Sequence, residues 1–488
     1  MVRCWPIRGI LTVPIAGGLS MLCRVTLPAC LLIVLIAATT TDAADRKPNV
    51  IVFLSDDVGY AEYGFQGSKD IPTPHIDSIA KSGIRFTQGY VSGPYCSPTR
   101  AGLMTGRYQT RFGHEFNEGG ATGTNSGFGL PLSETTIANR MKALGYATCA
   151  IGKWHLGGSP EHLPMKRGFD EFYGTVANTP FFNPPNFVDS RVSQEKFAVQ
   201  DDNFYTTDAY RERAVDWIEK HKDQPFFLYF PFNAQHAPLQ ATEKYLSRFP
   251  DIADEKRKTF AAMMSAMDDA VGAVLEKIRA IGQEENTLIF FLCDNGGPTQ
   301  QTTSRNDPLR GFKATTWEGG VRVPFCVQWK GKIPAGKVYE HPIIQLDILP
   351  TAIAAAGGKA DPAWRLDGVN LLPYLAGDNT SKPHETLYWR FGNQWAIRHG
   401  DWKLVVGNQA GVPAAATTAP ELINLAADIS ESKNLADAEP EKVKELKALY
   451  DKWNAEQEEP RWRPNPAAKA KNKAGKNKAK ANKAKTEA

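Results

Sequence analysis

Tyr95-Cys96-Ser97-Pro98-Thr99-Arg100 places a thiol, a proline and a guanidinium at i, i+2 and i+4, ahead of Ala101-Gly102-Leu103-Met104-Thr105-Gly106-Arg107. The apolar run predicts a short helix with Cys96 on the loop just before it. A helix N-terminus offers free backbone N–H groups that lower a thiol pKa or hold an anion, so this setting suits an activated side chain. Taken alone, the motif reads more simply as a buried structural cysteine followed by a turn proline, because cysteine is among the residues most often buried.

Three further clusters bear on that choice. Asp56 and Asp57 follow the run Val50-Ile51-Val52-Phe53-Leu54, and Asp294 and Asn295 follow Leu288-Ile289-Phe290-Phe291-Leu292. Four carboxylate or amide oxygens at the ends of two apolar strands form a plausible site for a hard divalent cation, Ca²⁺ or Mg²⁺. Lys153 and His155 alternate with Trp154 beyond another strand, which suits an anion-binding lysine beside a proton-transfer histidine. His236 ends a fourth apolar run, and Lys313 lies in a glycine-bearing loop. Read singly, each has a plainer account: an Asp-rich capping turn, a solvated lysine, a packed histidine.

Continuous apolar runs are what strands buried on both faces look like, and in open parallel sheets ligands bind beyond the carboxyl ends of such strands. The expected fold is therefore α/β, a large, mostly parallel sheet flanked by helices. Lys256 to Ile281 is a long amphipathic helix whose Met264, Met267, Val271, Val274 and Ile278 belong to the core. Strand character is also expected over Val321 to Trp329. From about Lys382 short strands separated by turns precede a helix over Glu439 to Asn454, which predicts a smaller α+β part with an antiparallel sheet.

The expected division is 1–44 leader, 45–380 catalytic domain, 381–460 antiparallel-sheet subdomain and 461–488 disordered tail. Arg3, Arg8 and Arg24 precede the apolar run Leu31 to Ala38, a signal-peptide pattern too short to span a bilayer. That predicts an exported protein, periplasmic or secreted, without a transmembrane anchor. The tail holds eight lysines and one glutamate, so the formal net charge of +4 masks an acidic body, and nucleic-acid binding is not indicated.

Together these residues resemble the type I sulfatase family of the alkaline-phosphatase-like superfamily, from about Pro48 to Asn454. The most specific parts are Cys96-Ser97-Pro98-Thr99-Arg100 with Leu103-Met104-Thr105-Gly106-Arg107, and Gly152-Lys153-Trp154-His155-Leu156-Gly157. The resemblance implies that Cys96 is oxidised to formylglycine (3-oxoalanine) by a formylglycine-generating enzyme, and that the aldehyde hydrate attacks sulfur. It further implies Asp56, Asp57, Asp294 and Asn295, with residue 96, as metal ligands. Arg100 would hold the hydrate, and Lys153 and Lys313 would clamp the sulfate. His236 would protonate the leaving oxygen, and His155 would take the proton that regenerates the aldehyde.

The general look is nearest to bacterial arylsulfatases and N-acetylgalactosamine sulfatases, which suggests a sulfated polysaccharide or glycosaminoglycan. His114, Glu115, Asn117 and the loop from Asn178 to Asp202 are candidate pocket walls. The alternatives are a phosphate or phosphonate ester hydrolase, and a silent glycan-binding protein with unmodified Cys96. A binding module has no need of both histidines and the cysteine.

Overall fold

The computed structural model describes residues 46–117, 128–408 and 418–463. The leader, the glycine-rich stretch 118–127, residues 409–417 and residues 464–488 lie outside them; residues 461–463, expected as the start of a disordered tail, instead pack on the body and bury Trp462. In chain order the first strands are β1 (Asn49–Ser55), β2 (Ile84–Phe86), β3 (Gly89–Tyr90), β4 (Ala147–Lys153), β5 (Glu171–Thr175) and β6 (Phe187–Asp189). After them come β7 (Phe226–Pro231), β8 (Thr287–Cys293), β9 (Phe325–Gln328), β10 (Lys337–Tyr339) and β11 (Ile343–Ile344). Nine of these form one sheet in the order β10-β2-β9-β8-β1-β7-β4-β5-β6.

At its centre β1 is flanked in parallel by β7 and β8, and β4 and β5 continue the parallel set. β9 runs antiparallel to both β8 and β2, and β6 antiparallel to β5, so the sheet is mixed. Every residue of β1, β7 and β8 is buried, which is why their sequences carry no polar alternation. The helix Glu255–Ala280 packs on Thr206–Lys220 and Pro74–Lys81, with its methionines and valines in the core as expected.

Two local expectations change. The stretch expected as a strand from Val321 begins as a helical turn, Glu318–Val321, and only β9 is extended. The stretch Asn178 to Asp202 is not all loop: it contributes edge strand β6 and buries Phe181 and Phe187 in the core, so much of it closes a sheet edge.

The smaller sheet is a meander of β12 (Thr386–Phe391), β13 (Gln394–His399), β14 (Trp402–Val406) and β15 (Glu421–Asn424), antiparallel throughout. The helix Pro440–Asn454 covers it, burying Leu446, Tyr450 and Trp453. Trp389 of β12 donates its indole N–H to Val91 O at 2.7 Å, tying the meander to the segment that leads into Cys96.

Candidate active site

Parallel register assembles the acidic cluster. Ser55 pairs with Cys293 across β1 and β8, so Asp56 and Asp57 leave the sheet beside Asp294 and Asn295. β4 ends at Lys153 and β7 leads toward His236 at the same edge of the sheet. The glycines of the flanking motifs are required by close approach: a Cβ on Gly152 would meet Pro231 O at 1.7 Å, and one on Gly296 would meet Gly319 O at 1.7 Å.

One ligand atom from each of Asp56, Asp57, Cys96 and Asp294 lies within 4.8 Å of the others, and all four residues are buried. Cys96 Sγ is 3.5 Å from Asp56 Oδ1 and 3.9 Å from Asp57 Oδ1. Asn295 Nδ2 donates to Asp57 Oδ1 at 2.8 Å, while its buried Oδ1 has no hydrogen-bond partner among the described residues. An orphaned amide oxygen beside three carboxylates fits a hard divalent cation, which takes oxygen ligands and repairs the missing interaction.

Three cations face the three carboxylates. Lys153 Nζ rests on Asp56 Oδ2, and Lys313 Nζ is 2.6 Å from Asp57 Oδ1. Arg100 donates through Nε and Nη2 to Asp294 Oδ2 at 3.0 and 2.8 Å, and through Nη1 to Lys153 O at 2.7 Å. Its fork thus fixes a carboxylate and a strand end. Burial raises the Asp56 carboxyl, but Lys153 and the other cations overcome this and hold it low. Burial and the neighbouring Asp56 push Asp294 up to about 7, against Arg100 and Lys153. Like charges sharing one site separate in this way, and a bound cation would relieve the strain.

The setting of Cys96 differs from the loop expected for it. Cys96 is the first residue of the helix Cys96–Thr105, not a loop residue, and it is fully buried. Burial raises its pKa well above the ordinary thiol value despite Lys153 and Lys313, with Asp294 and Asp56 adding to the rise. Desolvation by burial thus opposes the lowering expected of a helix N-terminus.

His155 has φ +58°, which ends the extended alternation expected past β4; Asp57 and Ala314, the residue after Lys313, are also left-handed, at +65° and +67°. Such backbones cost about 1–3 kcal/mol each and cluster where surrounding structure fixes functional side chains. Burial, with Lys153 and Arg100, holds His155 far below the usual imidazole range. His236 donates Nδ1–H to Ala237 O at 2.6 Å and sits with Nε2 3.5 Å from Asp57 Oδ2. Burial takes it down to about 4, against Asp57.

Among the described residues His114, Glu115 and Asn117, expected at a pocket wall, make contacts within the protein. His114 is fully buried with Nε2 2.6 Å from Ser97 Oγ, and Asn117 Oδ1 accepts from Ser97 N at 2.9 Å. Glu115 accepts from Arg390 Nε at 2.7 Å on β12. His114 and Asn117 brace the helix that starts at Cys96, and Glu115 ties the same segment to β12 and Gly392. Trp462 completes the brace, its ring centroid 4.7 Å from that of His114 and its indole N–H on Phe116 O and Asn117 O. No local sequence signal marks Trp462 for that role, nor Tyr95, whose ring centre lies 5.0 Å from Lys313 Nζ.

Burial lowers His114 to about 3, from 6.5. The unfolded chain therefore binds the proton first, and this neutral histidine's contribution to stability is full above about pH 6.5 and declines as pH falls toward 3. Acidification from about pH 6.5 to 5 is expected to cost the wild type of order 1–2 kcal/mol more than His114→Gln, read from urea unfolding at both values. Equal pH slopes would show that His114 is not held neutral.

A family model described as Sulfatase matches residues 48–358. N-acetylgalactosamine-6-sulfatase of Canis lupus familiaris is 32% identical over 397 residues, covering 76% of this chain and 74% of that protein. The crystal structure of Ps i-CgsB in complex with k-i-k-neocarrahexaose is similar at a TM-score of 0.79 and 35% identity, covering 87% of this chain and 96% of the other. PsFucS1 sulfatase from Pseudoalteromonas sp. is similar at 0.72 and 27%, covering 84% and 90%. With the family model spanning more than half of the sequence and these relatives most of it, the chain belongs to the sulfatase family and is a sulfuric ester hydrolase.

Proposed function

We propose that the protein is an exported sulfatase acting on a sulfated polysaccharide or glycosaminoglycan, with Cys96 matured to formylglycine and Ca²⁺ or Mg²⁺ held by Asp56, Asp57, Asp294 and Asn295. The observation that carries this reading is the convergence of three carboxylates, an orphaned amide oxygen and two lysines on one buried cysteine. The carbohydrate class is supported by a relative that is an N-acetylgalactosamine-6-sulfatase and another crystallised with a hexaose. Residues 1–44 are proposed as the export signal, 45–380 as catalytic, 381–460 as the meander subdomain and 461–488 as the tail. Among the described residues no helix is long and apolar enough to cross a membrane.

The reaction breaks an ester S–O bond with water and yields an alcohol, sulfate and a proton. In this reading the aldehyde hydrate at position 96 supplies the nucleophilic oxygen, and the cation offsets charge on the sulfate. Lys153 and Lys313 turn their ammonium groups from Asp56 and Asp57 to the sulfate oxygens, where charge builds. Arg100 keeps Asp294 and the end of β4 in place. His236, neutral in this state, takes up a proton at Nε2 beside the anionic ester and delivers it to the leaving oxygen. The hydrate at residue 96 is then sulfated on one oxygen; His155, held neutral by burial, would accept the proton of its other hydroxyl as the C–O bond to sulfate breaks, and water would rehydrate the aldehyde so formed. Because Cys96 is fully buried, the formylglycine-generating enzyme must meet the chain before this region closes.

Sulfate and phosphate esters of one phenol, assayed in parallel with mature metal-loaded protein, test the activity. Faster turnover of the sulfate is expected, and a preference for phosphate would overturn the reading. Defined sulfated saccharides then identify the sugar.

A further inference from the structure

Lys313 sits in a loop that the meander holds at both ends. Arg310 Nη1 reaches Glu421 Oε2 of β15 at 2.8 Å, with its guanidinium 3.6 Å from the centre of the Trp317 ring. At the other end Glu318 Oε1 is 2.9 Å from Lys403 Nζ of β14, and Lys403 is 2.8 Å from Glu431, all three side chains being buried. In the middle of the loop Ala314 is held through both of its flanking peptides. Ala314 N donates to Pro94 O at 2.8 Å, two residues before Cys96, and Ala314 O accepts from Gln394 Nε2 at 2.9 Å. Gln394 is fully buried at the start of β13, and its Oε1 accepts from Asn408 N at 3.3 Å. That second bond orients the amide so that its N–H₂ faces Ala314.

We propose that Gln394 is a positioning residue for Lys313. The inference rests on the reading of Lys313 as a sulfate clamp. Ala314 holds a left-handed backbone that a residue with a Cβ adopts reluctantly, and the hydrogen bonds at its N–H and its C=O keep it there. Gln394 fixes the peptide after Ala314 and Pro94 the peptide that joins Ala314 to Lys313, so a turn of the Ala314 backbone would disturb the latter, swing the Cα–Cβ direction of Lys313 and lift its ammonium from the cluster. The meander, 80 residues downstream of Ala314, thereby takes part in aiming a charge at the substrate.

The test is a double-mutant cycle on mature, metal-loaded protein, with inorganic sulfate as probe and its dissociation constant read by calorimetry. Gln394→Leu and Lys313→Ala are each expected to weaken sulfate about tenfold, the scale of one lost buried hydrogen bond or charge contact. The double variant is expected within about twofold of Lys313→Ala alone, because both changes remove one interaction. Gln394→Glu keeps the side chain's length, loses the donor and is expected to match leucine; it stands in should leucine not melt cooperatively. Losses that multiply in the double variant, no sulfate binding by the wild type, or failure of both Gln394 variants to fold would each overturn the proposal. Turnover of an aryl sulfate by the wild type, measured alongside, separates failure of this inference from failure of the sulfatase reading.

Discussion

Cys96→Ala loses turnover of sulfate esters by at least about a thousandfold, the loss typical of removing a covalent nucleophile. Its affinity for Ca²⁺ stays within about tenfold, because three carboxylates and the Asn295 amide remain. The peptide spanning Tyr95 to Arg100, taken from protein made in a host with the maturing enzyme, is lighter than the cysteine form by about 18 Da, a covalent change read by mass. Protein made without that enzyme folds and binds the cation but turns over little substrate, so activity follows the modified fraction. Burial raises the thiol's pKa and so disfavours the thiolate. Fully active protein with a plain thiol at position 96 would leave the fold and family standing and remove the proposed nucleophile.

Loss of Asp294 separates two effects that the geometry entangles. Asp294→Asn keeps an oxygen for Arg100 but withdraws a charged ligand, so Ca²⁺ affinity and turnover both fall sharply while the melting temperature changes little. Asp294→Ala additionally leaves the fully buried Arg100 guanidinium without its carboxylate. Breaking a buried pair from one side costs about 3–5 kcal/mol, and this is expected as a lower urea midpoint in the alanine variant only. Exhaustive chelation of the wild type abolishes turnover, and Ca²⁺ or Mg²⁺ restores it. Undiminished turnover by metal-free protein would refute the assignment of the cluster.

Much of the site was legible because its residues are written next to the strands that carry them. Runs such as Val50 to Leu54 and Leu288 to Leu292 have no polar alternation, so they can only be strands covered on both faces, and parallel strands deliver the residues at their carboxyl ends to one edge. Asp56, Asp57, Asp294 and Asn295 were therefore placeable together from sequence, and in-register pairing of β1 with β8 puts them there. Gly152 and Gly296 were readable as parts of motifs, and their reason is the close approach of Pro231 O and Gly319 O.

What sequence could not decide depends on neighbours drawn from distant segments. How far Cys96 is desolvated is set by the whole fold around it, and that burial opposes the effect expected of its helix terminus. His114 and Asn117 stand close to Cys96 in the chain and invited a pocket role, yet Ser97 and the far Trp462 turn them inward as braces. Arg100 finds Asp294 and the Lys153 carbonyl across the sheet edge. Gln394 carries no local pattern at all, since its partner Ala314 lies in another element. Local periodicity encodes which strands form and which residues they deliver; burial, charge state and long-range hydrogen bonds exist only once the chain has closed, because each is set by the sum of neighbours and not by adjacent residues.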